Sequence, residues 1–269
     1  MSKTTPALRD HELALACLMA HGACEFIATF ALLMVVMGSF SWLVVPLVAP
    51  SVQTLALAGL VGITIALLVR SPIGKLSGAH LNPAISLAFW MQRQINIKEL
   101  LVYVLMQVAG AIAACIVLTN LLHSRFEMIG FGVLGPAPGV SLASLLLFEA
   151  SATGGLVIVL FFVLSHQSLT RYAAVSVSLY LATMTLLLAP LTGASFNPAR
   201  AYAAALAAHQ LHGVWPYCVA PLIGAAFASG LYNIVAWLPN PRYHRLNHSH
   251  DHVNYTKYTL KRIAGFWAS

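Results

Sequence analysis

The chain has 269 residues, of which 59% are hydrophobic and only 8% are charged. Soluble domains carry about 25% charged residues, so this composition excludes a protein that faces water on all sides and favours one that lies mostly in a lipid bilayer. The net charge is +7, but the lysines and arginines stand at the ends of apolar segments. Because they form no basic stripe, a nucleic-acid partner is not expected.

Six apolar segments are long enough to cross a bilayer, which takes about 20 helical residues. Backbone groups in lipid must pair within their own segment, so each crossing is predicted to be an α-helix. Two shorter stretches, 82–92 and 197–207, reach about halfway across and are predicted to be re-entrant half-helices. The predicted fold class is therefore an all-α membrane protein with six transmembrane helices and two half-helices. The six predicted spans are 14–41, 53–70, 99–122, 143–165, 172–190 and 215–238.

An even number of crossings places both termini on the same side of the membrane. With the termini inside, all fourteen lysines and arginines except Arg125 and Arg200 fall on the inner side. This asymmetry predicts cytoplasmic termini, and we expect the membrane to be the plasma membrane. The predicted regions are an N-terminal segment 1–13, a membrane domain 14–240 and a C-terminal tail 241–269.

Two patterns recur in the two halves of the chain. Glu-x-x-x-Thr begins at Glu25 and again at Glu149, and an Asn-Pro-Ala triplet follows each of them. Each repeat contains three crossings, and an odd number requires the halves to be inverted in the membrane. The repeats span about 14–122 and 143–238, joined by loop 123–142, and the triplets are Asn82-Pro83-Ala84 and Asn197-Pro198-Ala199.

Each Asn-Pro-Ala triplet is predicted to start a helix, since Asn is a good N-cap and Pro needs no N–H partner at the first helical position. The cap uses the side-chain oxygen, which leaves the NH2 group free to donate. Where two such helix starts meet, each carries about half a positive charge. A water molecule there would accept hydrogen bonds from Asn82 and Asn197, whereas hydronium and metal cations would be repelled.

Non-helical backbone precedes each triplet. Such backbone is tolerated at membrane depth only beside water or inside protein, so its carbonyl groups are predicted to form a ladder of acceptors along a pore. The residues of the two ladders are Gly78, Ala79, His80, Gly193, Ala194 and Ser195.

These motifs resemble the major intrinsic protein family, the aquaporins and aquaglyceroporins, over about residues 12–238. The resemblance implies a passive channel for water and small uncharged solutes, with no enzymatic activity, no cofactor, no metal, and a homotetramer with one pore per subunit. It is carried by Glu25-x-x-x-Thr29, Ser77-Gly-Ala-His-Leu-Asn-Pro-Ala84, Gln107-x-x-Gly110-Ala111, Glu149-x-x-x-Thr153, Asn197-Pro-Ala-Arg200 and Pro221-x-x-Gly224.

The resemblance also implies a selectivity filter that contains Arg200. A charged side chain in a membrane segment faces water or a partner, although snorkelling to the interface is the alternative. Two other filter positions map to Ala194 and Thr185. The second-span position maps to Val61 if one extra residue lies between Ala66 and Gly74, and to Gly62 without that insertion. Water channels of the family usually carry an aromatic residue and a histidine at the second-span and fifth-span positions. Val61 and Thr185 therefore predict a wider, less polar opening.

The solute is predicted from conflicting patterns. The wide filter favours glycerol, urea or similar solutes, whereas Ala201 and Ala205 follow the water-channel pattern and favour a water-selective channel. We prefer the broad pore because filter width acts directly on what fits. An ion-coupled secondary transporter, another class with inverted repeats, would depend on an ion gradient. A structural or adhesive membrane protein would show little flux.

Ionisable groups inside the spans allow two interpretations. Glu25 and Glu149 are proton carriers of a transporter, or, as the resemblance implies, structural acceptors for loop backbone groups whose burial unpaired would be costly. Gln107 is assigned to the same structural set. His21 either pairs with Glu25, four residues later, or senses pH. His80 either holds its loop or gates the pore.

The cysteines and the histidines of the C-terminal tail are of residue types that can bind metal, but we assign them to packing and to a solvated segment. The four cysteines lie in apolar segments without metal-ligand spacing and are predicted to be small buried hydrophobes. The histidines of the tail either bind a metal or belong to a mobile solvated segment, which is the preferred interpretation. They are His244, His248, His250 and His252.

Overall fold

The structure, a computed structural model, describes residues 6–43 and 48–237. Over these residues it contains nine α-helices and three short 3-10 turns, at Gly130–Gly132, Thr170–Tyr172 and Leu211–Gly213. The helices are α1 Pro6–Leu43, α2 Pro50–Arg70, α3 Pro72–Ser77, α4 Pro83–Met91, α5 Ile97–Met128, α6 Leu142–Ser165, α7 Ala173–Thr192, α8 Pro198–Ala207 and α9 Trp215–Trp237.

Six of these helices, α1, α2, α5, α6, α7 and α9, are long and apolar enough to cross a membrane. Their outward faces are covered by large apolar side chains, of which Phe227 is the most exposed at 72%. Such a surface requires a lipid or protein neighbour. The predicted fold class, six transmembrane helices with two half-helices, is confirmed.

The packing of the long helices repeats in the two halves. In the first half α1 packs along α5, in the second α6 packs along α9, and α2 packs on α7 between the halves. Gly110 of α5 lies directly against the backbone of Phe26, and Gly224 of α9 lies in the same way against Ala150. A Cβ atom at either glycine would collide with the facing carbonyl oxygen, so the close approach of each helix pair requires glycine at this position.

The half-helices α4 and α8 meet at their N-termini. Asn82 accepts a hydrogen bond from the Ala84 N–H (2.9 Å), and Asn197 accepts one from the Ala199 N–H (3.0 Å), so each asparagine caps its helix. The C-terminus of α4 leads into the start of α5, whereas α8 contacts the turn Gly130–Gly132 just after the end of α5. The half-helices therefore point to opposite ends of the molecule, here named the α4 face and the α8 face.

Several boundaries differ from the sequence-based prediction: α1 begins at Pro6 and not at residue 14, and the end of α5 and the segment after α2 also differ. Helix α5 continues to Met128, past the predicted end at residue 122, with a local kink at Leu122 (φ −125°, ψ 28°). The prediction was wrong because polar residues mark the edge of the bilayer, and no Gly or Pro ends the helix before Gly130. The short helix α3 was not predicted; it begins at Ser71, which caps the Gly74 N–H (3.0 Å). The histidines of the predicted tail lie outside the described residues.

Candidate functional site

The first re-entrant loop is held by the buried carboxylate of Glu25. It accepts hydrogen bonds from the backbone N–H groups of His80 (2.9 Å) and Leu81 (2.7 Å) and from the Ser77 hydroxyl (2.7 Å). The Gln107 amide donates a fourth bond (2.7 Å). Leu81 has a left-handed backbone (φ 56°), which non-glycine residues adopt only at a cost. The carboxylate therefore collects the donors that this unusual loop cannot pair within itself.

The second loop repeats this arrangement around Glu149. The carboxylate accepts bonds from the Thr192 hydroxyl (2.7 Å) and from the backbone N–H groups of Ser195 (3.1 Å) and Phe196 (2.8 Å). Phe196 is also left-handed (φ 52°). The halves differ in one donor, because the residue that corresponds to Gln107 in the repeated motif is Pro221.

Two tyrosines that the sequence analysis did not single out each donate a hydrogen bond to the residue at the start of a loop. The Tyr103 hydroxyl donates to the Ser77 carbonyl (2.7 Å), and the Tyr217 hydroxyl donates to the Thr192 carbonyl (2.8 Å). Both tyrosines are buried. Their spacing from the motif glycines was the available signal, since Tyr103 precedes Gly110 and Tyr217 precedes Gly224 by the same number of residues.

The two capping asparagines are brought together at the centre of the molecule by bonds between the halves. Asn82 Nδ2 donates to the Phe196 carbonyl (2.7 Å), and Asn197 Nδ2 donates to the Leu81 carbonyl (2.8 Å). The prediction that both NH2 groups are free was therefore wrong. One N–H of each amide donates to the carbonyl group of the residue that ends the opposite loop, because this carbonyl is the acceptor within reach. Each amide keeps its second N–H for another partner.

A cavity of about 230 Å³ passes along both loops. Most of its wall is formed by aliphatic side chains of α1, α2, α6 and α7. Gly193 and the Pro and Ala residues of the two triplets do not line it; Gly193 faces Leu134. The predicted site residues that do line it are Val61, Gly78, Ala79, His80, Asn82, Thr185, Ala194, Ser195, Asn197 and Arg200.

The structure distinguishes between the two candidates for the second-span position. Val61 lines the cavity. Gly62 faces α7 instead, where an added Cβ would lie 3.2 Å from the Ser178 carbonyl oxygen and 3.1 Å from Ala182 Cβ. Of the two candidates, Val61 is therefore the residue that lines this cavity.

The chain was compared with known proteins. Residues 14–232 match the family model described as Major intrinsic protein. The chain belongs to the major intrinsic protein family. It is 29% identical to Nodulin-26 of Glycine max (67% of this chain, 65% of that protein) and 32% identical to Aquaporin-1 of Ovis aries (65% and 64%). The matches thus cover just under two thirds of these two relatives.

Other major intrinsic proteins support the same assignment. Aquaporin Z of Photorhabdus laumondii is 29% identical over 65% of this chain and 79% of its own length. The structure of the aquaglyceroporin from Plasmodium falciparum matches with a TM-score of 0.69 over 81% of this chain and 96% of that one, at 22% identity. At this identity the match shows the fold alone.

Charge is sparse in the cavity of this major intrinsic protein. Among the described residues that line it, Arg200 is the single charged side chain. Its Nη1 atom is buried and has no hydrogen-bond partner within the described chain. No carboxylate of residues 6–43 and 48–237 lines the cavity, and Glu25 and Glu149 both accept hydrogen bonds from the loops.

The two histidines of the first repeat occupy buried positions near Glu25. The His80 ring stacks on Phe89 (centroids 4.5 Å apart) and meets the edge of Tyr103 (4.9 Å), and its Nδ1 lies 3.1 Å from Ser86 Oγ. His80 also lines the cavity, whereas His21 does not. The ring of His80 is thus held on several sides.

Proposed function

We propose that this chain is a passive channel for water and small uncharged solutes of the size of glycerol or urea. The observation that carries the proposal is one cavity that borders Asn82, Asn197 and Arg200. A polar neutral molecule exchanges its hydrogen bonds with water for bonds to asparagine N–H groups, loop carbonyls and the guanidinium. The aliphatic side chains of the wall form no hydrogen bonds with the solute, so the solute is not held between the polar sites.

Cations and protons are excluded in this proposal by electrostatics. The N-termini of α4 and α8 both point at the centre of the path, and each contributes about half a positive charge. Arg200 adds a full positive charge further along the wall. A cation that gave up its hydration shell here would find positive potential from three sources, and no carboxylate of the described residues lines the cavity as a ligand for it.

The filter of the proposed channel comprises Val61, Thr185, Ala194 and Arg200. Three of these side chains are small, and the space that they leave beside the guanidinium supports passage of solutes larger than water. A water-selective channel is the second candidate, favoured by the 32% identity to Aquaporin-1 of Ovis aries. An ion-coupled transporter is a weaker candidate, because the two carboxylates that it would use are occupied by loop donors.

Stopped-flow light scattering on proteoliposomes tests the function. We expect water, glycerol and urea to equilibrate faster than in protein-free liposomes when no ion gradient is present. Fast water with protein-free rates for glycerol and urea would favour the water-selective candidate. A requirement for a sodium or proton gradient would overturn the channel and favour a transporter.

We also propose that four subunits assemble with one pore each, in the plasma membrane, with both termini in the cytoplasm. The exposed apolar faces of the long helices supply contact surface, and the distribution of lysine and arginine supports the orientation. Crosslinking in mild detergent should give species up to the tetramer. Only monomers at all crosslinker concentrations would contradict the assembly.

A further inference from the structure

A second cavity, of about 390 Å³, opens at the α8 face, outside the proposed path. Two imidazoles line it, those of His209 and His212, together with Gln210. Its inner wall includes Ala201, the residue that follows Arg200, and Tyr217, the residue that holds the second loop. The cavity therefore lies directly behind the half-helix that carries the filter arginine.

The backbone of His209 is in a conformation that a histidine rarely adopts. Its φ angle is 55°, in the left-handed region where glycine is the usual residue. The His209 N–H bonds to the Leu206 carbonyl (3.1 Å) and the Gln210 N–H to the Ala205 carbonyl (2.8 Å), the bond pattern of a Schellman helix end. This ending fixes the direction in which the histidine leaves α8, and an outlier of this kind motivates a functional hypothesis.

The other half-helix supplies an internal comparison. Helix α4 ends with the same two bonds, from Arg93 N–H to the Trp90 carbonyl (2.8 Å) and from Gln94 N–H to the Phe89 carbonyl (2.9 Å). Arg93 has a φ angle of 56°. The left-handed ending is thus a property of the repeat, whereas the imidazole at this position belongs to the α8 face alone.

A second histidine follows His209 after three residues. His212 lies in the 3-10 turn Leu211–Gly213, and it lines the same cavity as His209. Both histidines are exposed to solvent. Neutral imidazole is a preferred ligand of Zn²⁺, Cu²⁺ and Ni²⁺, whereas Mg²⁺ and Ca²⁺ prefer oxygen ligands.

We propose that His209 and His212 form a binding site for a divalent transition-metal ion of the Zn²⁺ class at the α8 face. Among the described residues no third His, Cys, Asp or Glu joins them, so the remaining coordination positions are open to water. An open site with two protein ligands binds reversibly and gives up its ion to a chelator, unlike a four-ligand structural site. This site is independent of the proposed channel activity.

Isothermal titration calorimetry with ZnCl2 in detergent tests this site. The parent is the full chain with its tail histidines substituted, because a histidine tract binds metal by itself. His209→Gly removes the imidazole and also relieves the left-handed backbone, so its folding is not endangered. The parent substitutions are His244→Ala, His248→Ala, His250→Ala and His252→Ala.

We expect the parent to bind one Zn²⁺ and not to bind Mg²⁺. His209→Gly and His212→Ala should each weaken Zn²⁺ binding by at least about tenfold, because a lost ligand costs no less than a lost supporting contact. The matched control is Arg93→Gly, which relieves the same backbone strain in α4 without removing an imidazole. Its Zn²⁺ affinity should equal that of the parent. Zn²⁺ affinity unchanged in His209→Gly, or absent from the parent, would overturn the proposal.

Discussion

Single carboxylates determine the shape of the two loops on which the proposed path depends. The buried carboxylate of Glu149 accepts hydrogen bonds from the N–H groups of Ser195 and Phe196 and from the Thr192 hydroxyl. Glu25 does the same in the first repeat and has Gln107 as an additional donor. The acids inside the spans thus have a structural use that explains why such costly residues are present.

Glu149→Ala should destabilise the protein strongly. Two buried backbone N–H groups lose their acceptor, at about 1–3 kcal/mol each, and the left-handed loop loses its support. The melting temperature of the detergent-solubilised protein measures this effect. Glu127→Ala, at the exposed end of α5, is the control and should melt like the parent. Equal melting of the two variants would contradict the structural role of Glu149.

The width of the filter can be tested at Val61 and Thr185. Val61→Phe together with Thr185→His adds two rings to the cavity wall, so glycerol and urea fluxes should fall by at least about tenfold while water flux falls less. The expected discrimination reflects overlap of the larger solute with the added rings, at a cost of a few kcal/mol. Stopped-flow light scattering measures each flux.

The matched control for the filter variant is Ile63→Phe, which adds a ring on the exposed side of the same helix. It should leave all fluxes unchanged. If the double variant lowers water and glycerol fluxes by the same factor, Val61 and Thr185 do not set the width.

At the scale of helices, the inverted repeat is built from two equivalent close contacts. Helix α5 approaches α1 at Gly110 and helix α9 approaches α6 at Gly224, in both cases one residue after the buried glutamate of the neighbouring helix. Because lipid gives no hydrophobic driving force between helices, such contacts rest on tight packing. They also fix the distance of each glutamate from its loop.

Gly224→Ala should destabilise the α6–α9 pair, since its Cβ would overlap the Ala150 carbonyl oxygen. Overpacking of this kind costs about 1–3 kcal/mol, which the melting temperature in detergent detects. Gly230→Ala in the same helix is the matched control, because no described atom of another helix lies within 4 Å of its added Cβ. The close contact would be refuted if both variants melted at the same temperature.

At the scale of the whole molecule, the sequence predicts those parts that are encoded locally. The six spans and the two half-helices follow from apolar length and from the Asn-Pro caps, and the structure confirms them. Asn82, Asn197 and Arg200 were selected from the two Asn-Pro-Ala motifs, and all three line one cavity. Each of these features depends on neighbours in the sequence.

Contacts between the halves could not be predicted in the same way. The bonds of Asn82 and Asn197 join residues 114 and 116 positions apart, and they depend on how two strained loops dock. The choice between Val61 and Gly62 likewise depends on which side of α2 packs against α7. The extension of α5 to Met128 was not predicted, because hydropathy indicates which part of a helix lies in lipid and does not indicate where the helix ends.

The central claim is that neutral molecules pass the two opposed helix starts while protons do not. Water flux and proton leak measured in the same proteoliposomes, by light scattering and by an entrapped pH-sensitive dye under clamped membrane potential, test it directly. We expect water flux far above that of protein-free liposomes and a proton leak equal to theirs. A proton leak that rises with protein content in step with water flux would contradict the claim.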